Sequence, residues 1–206
     1  MEASHAQQPA GVPQHVVSGI NDVVPFLEQG TWELVIKYGG EVISQGEHIP
    51  VDTPALSKPP QLDIRPHDLA QGRSFSVIMI DPDAPDPENP SAKEWLHWYR
   101  VNISGLELLR IASGHAVKGP GNGEDVVEYS PPHPVSGTHR YIFLLYAQEH
   151  EHQRPSLLRM HLTDHAVEGP VTIGLHRMCF DHRAWATRHD LHGPLACSYF
   201  YTRAHT

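Results

Sequence analysis

The sequence predicts a single domain built mainly of β-strands. Its 206 residues include 19 Pro and 16 Gly, a composition typical of short strands joined by many turns rather than of a helix bundle. A chain of this length can form one domain with a full hydrophobic core. We expect the polar residues 1–14 to be disordered and residues 15–206 to form the domain.

The first third of the chain indicates short elements separated by turns. A short helix is expected within residues 16–28, with Pro25 in or near its first turn. Residues 32–38 are rich in branched and aromatic side chains and predict a strand, and residues 39–40 are a Gly-Gly hairpin turn into a second strand at 41–43. The next predicted elements are an irregular stretch, a short strand and a turn, at residues 50–60, 61–64 and 66–72.

Two apolar runs predict the centre of the fold. Residues 75–80 form a strand-like run that ends abruptly at a proline-rich loop, and residues 142–146 are nearly all apolar, as expected of a strand buried on both faces. The other predicted elements are strands at 100–103, 125–129 and 195–201, a loop at 114–123 and a helix at 181–190.

Two polar clusters stand beside these strands. In the first, prolines at 82, 85 and 87 stiffen the loop Asp81-Pro82-Asp83-Ala84-Pro85-Asp86-Pro87, and Glu94-Trp95-Leu96-His97-Trp98-Tyr99 then leads into the strand at 100–103. The second cluster, from Pro132 to Tyr141, has the same design of prolines, a histidine and an aromatic residue before an apolar strand. If the strands are neighbours, His97 and His139 face one small cavity with Asp81 behind them.

Such a cavity suits an anion. Imidazolium groups and a tyrosine hydroxyl can bind phosphate oxygens by charge-assisted hydrogen bonds. Anion affinity would then weaken as the pH rises, because an ordinary histidine has a pKa of about 6.5. The alternative is that His139 and Arg140 only satisfy local backbone carbonyls and that His97 is a histidine of the core, and the residue types alone leave both interpretations open.

Charge and hydropathy exclude several classes of function. The formal net charge of −9 argues against nucleic acid as a partner and allows at most peripheral contact with anionic membranes. The sequence has no apolar run of about 18 residues that could span a membrane, and its first residues lack the apolar region of a secretory signal. We therefore expect a cytoplasmic location, where Cys179 and Cys197 would be buried free thiols.

Enzyme and metal chemistry find little support in the motifs. The His-rich stretch 147–178 contains two pairs with ligand-like spacing, His150 with His152 and His161 with His165. It has no Cys ligand, however, and the chain has no HExxH, G-x-S-x-G or P-loop motif. We predict a protein without catalytic residues, metal or cofactor, and a metal-dependent enzyme using the His-rich stretch remains an alternative.

Three separated motifs in order resemble the phosphatidylethanolamine-binding protein family, which includes Raf kinase inhibitor proteins and plant flowering-time regulators. They are Asp81-Pro82-Asp83-Ala84-Pro85, Glu94-Trp95-Leu96-His97-Trp98 and Gly137-Thr138-His139-Arg140. The spacing from Tyr129 to Arg140 is closer to the plant members. The resemblance implies a large antiparallel β-sheet packed on a smaller sheet, short peripheral helices, an anion pocket at the strand ends and a cis Ala84–Pro85 bond.

The resemblance also implies a ligand and partners. Members of the family bind phosphate, phosphorylated head groups and similar small anions, and act chiefly by binding kinases or scaffold proteins; some are credited with inhibiting serine proteases, which is the alternative function. The family usually has a tyrosine where this chain has Phe200. Carried over position by position, the ligand-binding residues would be Asp81, Asp83, Pro85, Trp95, His97, Pro132, His139 and Tyr141.

Overall fold

The computed structural model describes residues 19–25, 27, 31–113, 123–150 and 177–205. Within these residues the chain forms nine strands, three α-helices and one 3₁₀ turn at Pro54–Ser57. The strands are β1 (Glu33–Tyr38), β2 (Glu41–Val42), β3 (Glu47–His48), β4 (Gln61–Arg65), β5 (Ser74–Asp81), β6 (Trp95–Ser104), β7 (Glu124–Val127), β8 (Thr138–Gln148) and β9 (Leu191–Arg203). The helices are α1 (His67–Ala70), α2 (Gly105–Ala112) and α3 (His182–Arg188).

The strands form two sheets, which confirms the predicted mainly β fold. The small sheet has the order β2-β1-β4, and the large sheet has the order β3-β9-β8-β5-β6-β7. All of these pairs are antiparallel except β3 with β9. The large sheet therefore has β8 and β5, the two strands with the most apolar sequences, near its centre.

Alternating side chains of the large sheet divide the core into two layers. On β8, Ile142 and Leu144 pack into a cluster with Trp185 of α3. Tyr141 and Phe143 point to the other face and pack into a cluster with residues of the small sheet. Because both faces of β8 are covered, its sequence is a continuous apolar run rather than an alternating one.

A β-bulge interrupts β6 at the predicted site. Met79 of β5 pairs with Trp98, but Ile80 pairs with Leu96. His97 is therefore an extra residue on β6 with no partner on β5, and bulges of this kind change the direction of a side chain. The bulge breaks the alternation of buried and exposed side chains at residues 95–99. The sequence therefore predicts these residues before the strand rather than in it.

Several predicted elements differ from the structure. β6 begins at Trp95 rather than at residue 100, and no helix is present at 19–25, where the N–H groups of Val23 and Val24 donate to the Ile20 carbonyl in a turn. The rest of the predicted helix at 16–28 lies outside the described residues, apart from residue 27, as do residues 1–14 and nearly all of the predicted loop at 114–123. The apolar side chains of the turn are buried in the core, so tertiary contacts hold a single turn that does not continue into a helix.

Helix α2 was not predicted, although the sequence contains a signal for it. Ser104 caps the helix, and its hydroxyl accepts a hydrogen bond from the N–H of Glu107 at 3.4 Å. Ser-x-x-Glu before an apolar stretch is the pattern of a capping box. Two stretches expected to be irregular or a turn also contain single helical turns, at Pro54–Ser57 and His67–Ala70.

Both cysteines are free, but only Cys197 is buried, because Cys179 is exposed in the turn before α3. The prediction of two buried thiols was therefore wrong for Cys179. In the part of the chain that the structure describes, no helix is long and apolar enough to cross a membrane.

Candidate functional site

The side chain of Asp81 ties together the two predicted clusters at the end of β5. Its Oδ1 atom accepts a hydrogen bond from the N–H of Asp83 at 2.8 Å, which shapes the start of the proline-rich loop. Its Oδ2 atom accepts from Nδ1 of His139, on β8, at 2.7 Å. Both side chains are buried, so one carboxylate fixes the loop and the histidine together.

His139 is held at both ring nitrogens. Nδ1 faces the Asp81 carboxylate and Nε2 faces the backbone carbonyl of Ser136 at 2.9 Å. Two acceptors favour the charged ring. Burial alone would lower the pKa of His139, but the hydrogen bond and charge of Asp81, with the Ser136 carbonyl, outweigh it and raise the pKa above the ordinary value. The two N–H groups of the charged ring are therefore used within the protein, by Asp81 and by the Ser136 carbonyl.

The Asp83 side chain bonds to Arg140 and not to the Asp81–His139 pair. The Arg140 guanidinium donates to both oxygens of Asp83, from Nε at 2.9 Å and from a terminal nitrogen at 2.8 Å. The same guanidinium reaches Asp22 at 2.6 Å and the Gly19 carbonyl at 3.0 Å. The hydrogen bonds that Arg140 donates to Asp83 are the main reason that the pKa of Arg140 is raised, and those that it donates to Asp22 are the main reason that the pKa of Asp22 is lowered. Asp83 and Arg140 thus join the loop to the N-terminal turn.

His97 is neutral, contrary to the expectation of a second imidazolium. Its Nδ1 donates to the Ser130 carbonyl at 2.8 Å, which leaves Nε2 as a hydrogen-bond acceptor. Burial lowers the pKa of His97 to about 4, against the raising effects of the Ser130 carbonyl and Asp81. The ring meets that of Tyr141 edge to face, with centroids 5.1 Å apart. The bulge on β6 therefore brings His97 to the Tyr141 side of the sheet.

Three buried hydroxyl groups remain unused in this region. The hydroxyls of Tyr141, Ser136 and Thr202 have no hydrogen-bond partner among the described residues. The backbone N–H of His133 and the side chain of Thr202 lie near the Tyr141 oxygen, but neither has the geometry of a full hydrogen bond. Buried polar groups in native proteins are normally paired with protein, water or ligand. These hydroxyls therefore indicate where a ligand oxygen could be bound.

Phe200 occupies the position where the family usually has a tyrosine. Its ring is fully buried and stacks on Tyr141, with centroids 5.5 Å apart and an angle of 23° between the rings. An apolar ring at this place fixes the orientation of Tyr141 and offers no hydroxyl of its own.

The other predicted residues have different positions. Trp95 is half-buried and pairs with Asp81 across β5 and β6, and Pro132 is buried in the loop before β8. Pro85 is exposed and follows a cis peptide bond, as the resemblance implied. The structure thus joins Asp81 to His139 and His97 to Tyr141, whereas the Asp83 carboxylate bonds to Arg140. Ligand binding by the eight residues stays a prediction.

Sequence reasoning did not single out Arg177, which supports the bulge. Its guanidinium donates to the carbonyls of Leu96 and His97 at 3.0 and 2.9 Å, and to that of Glu128 at 2.8 Å. The charge of Arg177 also helps to keep His97 neutral. No local motif marks this arginine, because its partners are backbone carbonyls of distant segments. Arg140, by contrast, stands between His139 and Tyr141 and could have been found from its place in the motif.

A metal site finds no support in the described residues, which contain no group of three or more His, Cys, Asp or Glu arranged to hold an ion. Of the histidines considered as ligands, His152, His161 and His165 lie outside the described residues.

The comparison with protein families agrees with this geometry. Residues 37–193 match the model of the family described as "Phosphatidylethanolamine-binding protein". The chain belongs to this family. The phosphatidylethanolamine-binding protein motifs identified in the sequence are the ones that supply Asp81, His97 and His139 to the site.

Similar curated proteins come from plants. "Protein MOTHER of FT and TFL1 homolog 2" of Oryza sativa subsp. japonica is 35% identical over 79% of this chain and 76% of its own length. "Protein BROTHER of FT and TFL 1" of Arabidopsis thaliana is 30% identical over 91% of this chain and 88% of its own length.

A solved structure of the family supports the fold assignment. The phosphatidylethanolamine-binding protein from Plasmodium vivax aligns with a TM-score of 0.62 and 18% identity, covering 95% of this chain and 100% of that protein. At this identity the likeness confirms the architecture of two sheets and short helices, and nothing further.

Proposed function

We propose that this phosphatidylethanolamine-binding protein is a non-enzymatic, cytoplasmic binding protein for small phosphorylated anions or phospholipid head groups. We further propose that it modulates signalling by binding a protein kinase or a scaffold protein. Curated relatives named "Protein TERMINAL FLOWER 1" and "Protein FLOWERING LOCUS T" support a regulatory role, and the arrangement of the site supports the type of ligand.

The observation that carries the proposal is the group of unused hydroxyls of Tyr141, Ser136 and Thr202 beside charges that are already balanced. Asp81 pairs with His139 and Asp83 pairs with Arg140, so these side chains leave the hydroxyls as the free donors. Hydroxyl donors can bind phosphate oxygens. Neutral His97 offers an acceptor at Nε2, which suits a protonated phosphate oxygen or an ammonium group of a head group.

The same geometry supports a role without catalysis. A general base needs a free nitrogen lone pair near its substrate. His139 has an acceptor at each ring nitrogen, so the charged ring has no lone pair, and the low pKa of His97 makes it a weak base. We infer that binding, rather than proton transfer, is the chemistry of this site.

Calorimetric titration with phosphoethanolamine tests the proposal. We expect Tyr141→Phe to weaken binding by about tenfold or more, because a hydrogen bond to a charged group contributes about 1.5–3 kcal/mol. Tyr99→Phe is the matched control, since Tyr99 is also buried with an unpartnered hydroxyl among the described residues but does not belong to the site. Equal affinities for the wild type and Tyr141→Phe, or no binding by the wild type, would contradict the proposal.

A further inference from the structure

A second cavity lies on the face of the large sheet that is turned away from the small sheet. Its volume is about 280 Å³, and it is bounded by the N-terminal turn, helix α3 and the first residues of β9. Its apolar walls include Val23, Val24, Ala186, Leu191 and Pro194. These residues take no part in the site described above.

An irregularity in β9 accounts for this space. Leu145 of β8 pairs with Ala196, and Ala147 pairs with His192. Tyr146 therefore stands opposite the extra residues 193–195, which leave the regular line of the strand. Gly193 has a φ of 141°, and a Cβ atom there would lie 2.6 Å from the Leu195 nitrogen and 3.3 Å from the Tyr146 ring. Glycine is required for the strand to pass so close to its own backbone.

Two buried polar side chains line this cavity. Tyr146 is 1% exposed, and its hydroxyl has no hydrogen-bond partner within the described ranges. His182 is 2% exposed, and its Nδ1 pairs with the Glu94 carboxylate at 2.7 Å. The described part of the chain supplies no hydrogen bond to its Nε2. Both side chains thus have hydrogen-bonding capacity that the described residues do not use.

The exposed Arg183 side chain also lines the cavity and carries a positive charge. Arg183 is exposed, and its guanidinium donates to the Val23 carbonyl, which holds it beside the N-terminal turn. Among the described residues no carboxylate forms an ion pair with it. Three charges act on the nearby Tyr146 hydroxyl, in decreasing order those of Glu94, which is paired with His182, of Arg183 and of Asp181. A guanidinium with free N–H groups is suited to bidentate binding of a carboxylate.

We propose that this cavity is a second ligand site, which takes a small carboxylate with a compact apolar body. Arg183, with Tyr146 and His182, would bind the carboxylate, and the apolar walls would enclose the body. The volume is close to the lower end of the range of about 300–1,000 Å³ for ligand pockets, so the ligand must be small. Walls that are mostly apolar favour a carboxylic acid over a phosphate ester, whose charged group would need more polar partners.

Ligand-observed fluorine NMR with para-fluorobenzoate tests this site, with para-fluorobenzamide as the uncharged probe of the same shape. We expect the benzoate to bind with a dissociation constant of about 1 mM or tighter and the benzamide at least about tenfold more weakly. Arg183→Gln should weaken benzoate binding by about tenfold, because the carboxylate loses its charged partner. Arg188→Gln is the control on the same helix, at a position that does not line the cavity.

A second pair of variants separates binding from folding. Tyr146→Phe should weaken benzoate binding several-fold without lowering the melting temperature, because removing an unpartnered buried hydroxyl leaves no polar group unpaired. Tyr99→Phe removes a comparable hydroxyl outside the cavity and should leave binding unchanged. The proposal would be overturned if the two probes bound equally well, or if benzoate did not bind at about 10 mM. It would also be overturned if Arg183→Gln or Tyr146→Phe left benzoate binding unchanged.

Competition separates the two proposed sites. Benzoate bound in the second cavity should not be displaced by phosphoethanolamine, and Tyr141→Phe should not change its affinity. Displacement by phosphoethanolamine would place the benzoate in the first site and refute the second. Failure of phosphoethanolamine to bind at all would contradict the proposed function and leave the benzoate result unaffected.

Discussion

At the scale of single residues, the two histidines of the site have opposite ionisation. His139 gains more from the Asp81 carboxylate and the Ser136 carbonyl than it loses by burial, so its pKa is raised. His97 has no carboxylate of the described residues in hydrogen-bonding contact, and burial lowers its pKa to about 4. Two histidines that the motifs present as equivalent therefore serve as one internal cation and one neutral acceptor.

An NMR titration of the imidazole rings should show this difference in the ligand-free protein. We expect His97 to titrate near pH 4 and His139 to titrate above the ordinary value of about 6.5. His97 should therefore lose its charge well below neutral pH, rather than near neutral pH as the sequence suggested. A pKa of His97 near 6.5 would show that the ring is more solvated than the structure indicates.

His139→Gln should lower stability in a pH-dependent manner. A histidine whose pKa is raised on folding contributes stability that is complete below the unfolded pKa of about 6.5 and is lost as the pH rises through the folded pKa. We therefore expect His139→Gln to lower the free energy of urea unfolding more at pH 6 than at pH 9. At acidic pH the loss should reach about 3 kcal/mol, because Asp81 stays buried without its charged partner. A loss that is equal at both pH values would contradict the charged pair.

At the scale of elements, the site depends on the close approach of two rigid loops. The loop after β5 carries Pro87, and the loop before β8 carries Gly137, which has a φ of 65°. A Cβ atom at Gly137 would lie 2.9 Å from Cγ of Pro87. The glycine therefore has two reasons to be there, the left-handed backbone and the contact between the loops.

Gly137→Ala compared with Gly72→Ala separates these two reasons. Gly72 has a similar φ of 76° but nothing within 4 Å of an added Cβ atom. Both variants should lose about 1–2 kcal/mol from the left-handed conformation. Gly137→Ala should lose more in thermal or urea unfolding, and it alone should weaken phosphoethanolamine binding. Equal losses and unchanged binding would show that the contact with Pro87 has no role in shaping the site.

At the scale of the whole molecule, a net charge of −9 surrounds a site whose internal charges are largely paired. Electrostatics at long range therefore repel an anionic surface, and recognition of a phosphorylated group must come from short-range hydrogen bonds. This division predicts that soluble head groups and membrane surfaces behave differently.

Vesicle sedimentation measures that difference. We expect phosphatidylserine vesicles to recruit the protein no better than phosphatidylcholine vesicles at low salt, where repulsion is least screened. Soluble phosphoethanolamine should bind under the same conditions. Strong recruitment to phosphatidylserine that weakens as salt is added would reveal a basic surface that the composition does not suggest.

The sequence by itself determined the class of fold, the central strands and the identity of the site motifs. Apolar runs at β5 and β8 predict buried strands, because the hydrophobic effect favours removing such side chains from water. Prolines after Asp81 predict a stiff loop because proline restricts its own backbone. Helix α3 is also predictable from the sequence, since the Asp181 carboxylate caps it by accepting hydrogen bonds from the N–H groups of Arg183 and Ala184.

The tertiary structure decided what those residues do. The bulge at His97 arises from the register of β6 against β5, and register depends on contacts between segments distant in the chain. The neutral state of His97 and the charged state of His139 follow from burial and from one carboxylate, which a linear pattern does not reveal. Arg140 binds Asp83, and the second cavity forms opposite Tyr146, only because strands and turns far apart in sequence meet there. Local residue preferences are encoded along the chain, whereas ionisation, register and cavities are properties of packing in three dimensions.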